Sequence, residues 1–237
     1  MSYNGEAVAT KLNDQMKTLP AAERIELISK QFPHAVFTTS LGEEDQAITG
    51  LIAKEKLAIE IATLHTGRLF PETVDLIKQT KIQLGIDIKE YHPLEADIAN
   101  YTSEYGRDGF YYSVEGRHAC CHIRKIKPLQ NALSKADAWV VGLRREQSQN
   151  RSEVPFAEWS EDYNLMKFNP LADWTRADLT VFIEQNDIPI NPLHAKGFPS
   201  IGCEPCTRAI KPGEHERAGR WWWENEEKRE CGLHVKQ

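Results

Sequence analysis

One pattern constrains the fold of this chain more than any other: short apolar strands alternate with helical segments. His34 to Thr39 reads as a strand, Ser40-Leu41-Gly42 as a tight turn and Glu43 to Lys54 as a helix. The order recurs in Ile59 to His65, a strand ended by Thr66-Gly67, and in Pro71 to Leu84, a helix with proline at its start. Asp87 to Tyr91, Ala138 to Leu143 and Met166 to Asn169 read as further strands. Helical spacing covers 7–31, running on through Pro20, and about 121–135. Thr175 to Asn186 is a helix with Thr175 as N-cap and Asp178 three residues on. Strands separated by helices are not joined as hairpins, so the pattern predicts an α/β fold on a parallel sheet.

The 237 residues hold no internal repeat, low-complexity tract or linker, so 1–237 is expected to form a single domain. Residues 191–237 depart from the pattern. They are rich in Gly, Pro, Cys, Trp and charge, and read as an irregular C-terminal segment laid over the site. Trp221-Trp222-Trp223 is costly to leave in water, so this segment is expected to dock on the body. With 41% hydrophobic and 27% charged residues the chain is not of a disordered type. No apolar run nears the ~20 residues of a membrane span, and no basic-then-apolar leader opens the sequence. A cytoplasmic location with no membrane partner is expected. The net charge of −6 argues against a nucleic-acid partner, but not against a local pocket for a small anion.

Five cysteines carry the first chemical signal. Cytoplasmic chains rarely hold disulfides. Four of the five come as two close pairs, Cys120-Cys121 and Cys203-Glu204-Pro205-Cys206. Four thiolates can hold a 4Fe–4S cluster or a zinc ion. Neighbouring side chains diverge, which suits a cluster of separated irons better than one tetrahedral zinc. Two buried thiols plus a redox C-x-x-C is the other reading. Arg117, Arg124, Lys125 and Arg208 crowd these cysteines. They would offset a negative cluster or hold an anion beside it; otherwise they form a solvated basic face.

Three loops sit where strands end, the place at which open α/β sheets bind ligands. Ser40-Leu41-Gly42 would aim backbone N–H groups at an anion. It lacks the Gly-Lys-Ser/Thr ending of a Walker loop, and Glu43, Glu44 and Asp45 would repel a phosphate unless cations come from elsewhere. Thr63-Leu64-His65-Thr66-Gly67-Arg68 closes the second strand. Arg144-Arg145 follows another and offers planar forks for phosphate or sulfate. Arg217 and Arg220 precede the tryptophans, and Glu230-Cys231-Gly232-Leu233-His234 sets one cysteine in a polar tail. A cysteine beside Arg, Lys and His is a candidate nucleophile, or else an incidental surface thiol. Lys125, Arg144, Arg217 and Arg220 are expected to have no acidic partners, as an anion clamp requires.

Together these motifs resemble the assimilatory sulfonucleotide reductases, and within them the iron–sulfur, thioredoxin-dependent branch that acts on adenylylsulfate (APS). The resemblance runs from about Phe37 to His234 and rests on the two cysteine pairs and the Glu230-to-His234 tail. It implies a Rossmann-like, adenine nucleotide α-hydrolase type of parallel sheet with helices on both faces. It also implies a modified pyrophosphate loop over Ser40 to Asp45, with Ser40 and Gly42 at the substrate. By the same resemblance Cys120, Cys121, Cys203 and Cys206 hold one 4Fe–4S cluster and Cys231 is the catalytic nucleophile. Lys125, Arg144, Arg145, Arg217, Arg220 and His234 bind the substrate. The family usually has aspartate where this chain has His65, and no role is carried over to it. The implied reaction reduces APS to sulfite and AMP through an S-sulfocysteine on Cys231, in sulfate assimilation and cysteine biosynthesis. A separate thioredoxin or glutaredoxin-like protein resolves that intermediate. The competing readings are a reductase using the 3′-phosphorylated substrate (PAPS) or both substrates, an ATP-dependent tRNA thiolation enzyme, which the net charge disfavours, and a non-enzymatic iron–sulfur or redox sensor, which leaves the Cys231 tail and the arginine sets unexplained. A homo-oligomer is left open.

Overall fold

The computed structural model describes residues 5–147 and 151–224. Among them are six strands: β1 (Ala35–Thr39), β2 (Glu60–Leu64), β3 (Lys89–Tyr91), β4 (Ala138–Val140), β5 (Ala157–Ser160) and β6 (Leu165–Phe168). They form one sheet in the order β3-β2-β1-β4-β6-β5. β1 runs parallel to β2 and β4, and β4 parallel to β6. Helices cover both faces. The all-parallel expectation is amended at one edge, where β5 pairs antiparallel with β6. β5 reads Ala-Glu-Trp-Ser and buries only its alanine, so no apolar run marks it. Central β1 instead buries Ala35, Val36 and Phe37 in succession, as a strand covered on both faces does.

The helices are α1 (Gly5–Met16), α2 (Ala21–Gln31), α3 (Glu43–Lys54), α4 (Pro71–Leu84), α5 (Glu95–Tyr105), α6 (Val114–Cys121), α7 (Lys127–Leu133) and α8 (Arg176–Gln185). The continuous helix expected over 7–31 is broken: Pro20, extended at φ −69° and ψ 159°, caps α2 instead of continuing α1. α3 and α4 take their expected bounds. α8 carries a capping box, in which the Thr175 hydroxyl accepts from the Asp178 N–H and the Asp178 carboxylate accepts from the Thr175 N–H. The helix expected from about 121 already begins at Val114, where the Ser113 hydroxyl accepts from the Gly116 N–H at 2.9 Å. Between α6 and α7 the chain makes a π-helical turn, His122–Ile126, of the kind that recurs at functional sites.

The backbone divides into two compact units. One comprises Met1–Thr63, Asp75–Lys89 and Leu133–Asn191; the other comprises Leu64–Val74, Glu90–Ala132 and Pro192–Gln237. The first is built on an aliphatic and aromatic core that includes Met16, Ile25, Phe37, Ile48, Met166 and Phe168. The core of the second includes Phe110, Cys203, Cys206 and Trp221, so two cysteines are themselves part of the packing. Its described C-terminal part carries 3₁₀ turns at His194–Lys196 and Glu204–Cys206.

Candidate functional site

In the first unit the strand order reverses between β1 and β4. Ligands of open α/β sheets bind beside such a reversal, at the carboxyl ends of the strands. After β1 the chain turns through Ser40-Leu41-Gly42 into α3. Leu41 takes the left-handed conformation (φ 61°), whereas Gly42 is the extended N-cap of α3. Leu41 is buried against Leu76 and Ile77, and its N–H donates to the Thr39 hydroxyl at 3.0 Å. That packing holds a conformation few non-glycine residues adopt. The Asp45 carboxylate accepts from the Ser40 N–H at 2.6 Å and the Ser40 hydroxyl at 2.7 Å, closing the loop on itself. Burial pushes Asp45 up to about 6, against the pull of the Ser40 hydrogen bonds, and the Glu44 charge adds to the rise.

The acidic start of α3 does draw cations from elsewhere. Arg176 pairs with Glu43 at 2.5 Å, and Arg144 pairs with Glu44 at 2.8 Å. Burial works against the Glu44 charge, but Arg144 outweighs it and holds the carboxyl below its usual range. The expectation that Arg144 lacks an acidic partner is therefore corrected. Arg144 is 1% exposed, and its partner, 100 residues away in sequence, is brought to it by the pairing of β1 with β4. Arg145 is half-buried; its Nε donates to the Val154 carbonyl at 2.9 Å and its guanidinium lies 4.9 Å from the Phe156 ring centre.

In the second unit Cys120, Cys121, Cys203 and Cys206 line one cavity of about 350 Å³, its open mouth included. Cys120 and Cys121 end α6, and Cys203 and Cys206 flank the short turn that Pro205 stiffens. The 66–69 loop pins this turn. Leu69 bridges to Cys203, the Glu204 N–H donates to the Arg68 carbonyl at 2.8 Å, and Cys203 Sγ lies 3.3 Å from the Thr66 hydroxyl. Arg124, in the π turn, donates to the Thr66 carbonyl at 2.7 Å. Among the described residues none of the four is joined in a disulfide. Burial pushes Cys120 up despite Arg124, and burial together with Cys203 pushes Cys206 up to about 12. Among the described residues no three of His, Cys, Asp or Glu close on a single metal ion.

The basic crowd around the cysteines is not a uniform solvated face. Arg117 is buried and pairs with Glu224, Arg208 pairs with Glu214 at 2.8 Å, and Arg68 pairs with Asp108 at 2.9 Å. Lys125 lines the cavity with its ammonium 5.9 Å from the Trp221 ring centre; Arg220 lies 4.8 Å from the same centre. Arg220 also reaches the Ser200 hydroxyl at 3.5 Å. Arg217 lies three residues earlier, its N–H donating to His215 Nδ1 at 3.2 Å. Trp221 is fully buried and Trp223 packs on Tyr111 at 4.5 Å, whereas Trp222 between them is exposed. Cys231 and His234 lie outside the described residues. Thr66, Tyr101 and Glu224 were not anticipated as parts of this region. The Thr66-Gly67 loop was a visible signal for the first, while nothing local marks the other two.

The sequence model of the phosphoadenosine phosphosulfate reductase domain matches residues 34–209. The chain belongs to this reductase family. The match takes in both cysteine pairs, the Ser40 loop, Lys125, Arg144 and Arg145. Among curated reductases it is similar to an adenosine 5'-phosphosulfate reductase of Sinorhizobium fredii (strain USDA 257), 57% identical over 230 residues that cover 97% of this chain and 92% of that protein. A protein of the same name from Rhizobium meliloti (strain 1021) is 59% identical over 223 residues, covering 94% and 84% of the two chains. A crystal structure of phosphoadenylyl-sulfate (PAPS) reductase from Candida auris, in a phosphate complex, shares the reductase fold with a TM-score of 0.73 at 23% identity, covering 85% of this chain and 96% of that one. No helix among the described residues of this reductase-family chain is long and apolar enough to cross a membrane.

Proposed function

We propose that the chain reduces adenylylsulfate to sulfite and AMP in sulfate assimilation and cysteine biosynthesis, working as one functional domain in the cytoplasm. One observation carries this reading: curated relatives from 46% to 63% identical bear the name adenosine 5'-phosphosulfate reductase. In the proposed reaction the Cys231 thiolate attacks the sulfate sulfur. The sulfur–oxygen bond to the AMP phosphate breaks, and AMP leaves with the electron pair. The S-sulfocysteine formed is then attacked at the Cys231 sulfur by a thiol of a separate thioredoxin or glutaredoxin-like dithiol protein. Sulfite leaves, and the second thiol of that reductant resolves the mixed disulfide, so the reductant ends oxidised.

Lys125, Arg217, Arg220 and His234 are the proposed contacts for the anionic groups of the substrate. Ser40, Gly42 and Arg145 are further proposed contacts; Gly42 is the N-cap of α3, while the Ser40 N–H and hydroxyl are held by Asp45 and shape the loop at the carboxyl end of β1. Arg144 is proposed to act through Glu44, keeping the start of α3 neutral enough for an anion. The four cavity cysteines suit a 4Fe–4S cluster. What supports it is the convergence of four thiols among Arg117, Arg124 and Lys125. Buried thiols raised in pKa need a positive centre to ionise together, and iron is such a centre. When bound, a cluster supplies fixed charge here and need not change redox state.

The test is mass spectrometry of anaerobically purified protein given APS and no reductant. One SO₃ added to the peptide holding Cys231, with one AMP released per chain, supports the reading. Label on Cys120, Cys121, Cys203 or Cys206, or AMP release without label, overturns it.

A further inference from the structure

We propose that Tyr101 is a positioning residue for the cysteine cavity: its hydroxyl donates a hydrogen bond to the Cys120 sulfur and tunes the iron–sulfur group which that sulfur holds. The proposal rests on the cluster reading above. Tyr101 is on α5 and is 4% exposed. Its hydroxyl oxygen is buried, and among the described residues no group meets it in good hydrogen-bond geometry. Burying such a group is costly unless it is aimed at something polar.

Close packing decides what it is aimed at. A Cβ on Gly116 would sit 2.7 Å from the Gly109 carbonyl oxygen, so the Gly109–Tyr111 turn lies against α6 at a point only glycine permits. A Cβ on Gly109 would in turn sit 3.2 Å from the Tyr101 hydroxyl oxygen, so the other side of that turn rests on Tyr101. Gly116 and Cys120 are four residues apart on α6 and share a face. Phe110, in the same turn, walls the cavity and packs with Cys120, Cys203 and Cys206. Stacking on Tyr105, at 5.3 Å and 19°, fixes the direction of the Tyr101 ring.

A hydrogen bond to a ligand sulfur draws electron density from the iron–sulfur bond, which weakens that bond and raises the reduction potential. Tyr101→Phe keeps the ring and removes only the donor. The experiment compares anaerobically purified wild type, Tyr101→Phe and Tyr105→Phe by iron and sulfide content, thermal melting, resonance Raman spectroscopy and potentiometry. The expected result is equal iron, sulfide and melting in all three. Tyr101→Phe alone moves its iron–thiolate stretching bands to higher frequency and its potential to more negative values. Bands and potential of Tyr101→Phe that coincide with wild type at equal iron content overturn the proposal and leave Tyr101 a packing residue. Wild type that holds no iron or sulfide overturns the cluster reading itself, a separate outcome.

Discussion

Arg117 and Glu224 meet in a buried bidentate ion pair, Nε to Oε1 at 2.5 Å and Nη2 to Oε2 at 2.9 Å. Arg117 is three residues before Cys120 on α6, and Glu224 follows the tryptophan run. The guanidinium also lies 4.9 Å from the Trp221 ring centre. One contact therefore ties the cysteine-bearing helix to the C-terminal segment. Glu224→Ala takes the carboxylate away from a buried, charged arginine, and such a change costs about 3–5 kcal/mol. An Arg117→Met, Glu224→Leu double substitution removes both charges and is expected to lose far less. Urea unfolding of the wild type and the two variants measures the difference. Equal losses in both would assign the effect to packing.

Arg144 and Arg217 are expected to separate stability from substrate use. Arg144→Met strands the Glu44 carboxylate in a buried place and should lose about 3–5 kcal/mol of stability. Arg217→Ala should melt close to wild type, yet weaken APS use about tenfold if its guanidinium makes a charge-assisted contact. Thermal melts and steady-state kinetics on the same preparations test both. Wild-type kinetics in Arg217→Ala would remove it from the substrate contacts.

Asp45 gives a pH dependence whose sign is fixed by burial. Its carboxyl titrates at about 6 in the folded chain, above the ordinary 3.8 of an exposed aspartate. Between those values the folded chain holds a proton that the unfolded chain has released. The contribution of this group to stability is thus greatest below about pH 4 and declines as pH rises through about 6, by about 3 kcal/mol in all. Asp45→Asn should flatten that part of the profile. Unfolding free energies from pH 4 to pH 7, taken as wild type minus variant, will show the decline or its absence.

Much of the architecture is legible in the sequence because its ends are marked. Glu43–Lys54 follows a turn and Pro71–Leu84 begins with proline, and both helices appear where those signals put them. α5 and β5 are not marked in this way. α5 buries only Tyr101, and β5 buries one residue of four, so neither carries a periodic apolar face. The two cysteine pairs announced a shared centre, and the structure brings all four to one cavity. The arginines were harder to read. Ion pairing depends on partners far off in sequence, as Glu44 is from Arg144 and Glu224 from Arg117, and no local pattern encodes it.

The π turn at His122–Ile126 also governs how α6 and α7 tolerate a change of length. A π turn holds one residue more than the α-helical path needs. A single deletion within it would be absorbed on the spot: α6 would still end in its two cysteines, and α7 would still bury Leu129. What would be lost is the bulge that carries Arg124 and Lys125. An insertion in α6 or α7 would instead swing everything beyond it by about 100° around the helix axis. At these five positions, how far the helix can shrink and where two cations point are settled by the same backbone hydrogen bonds.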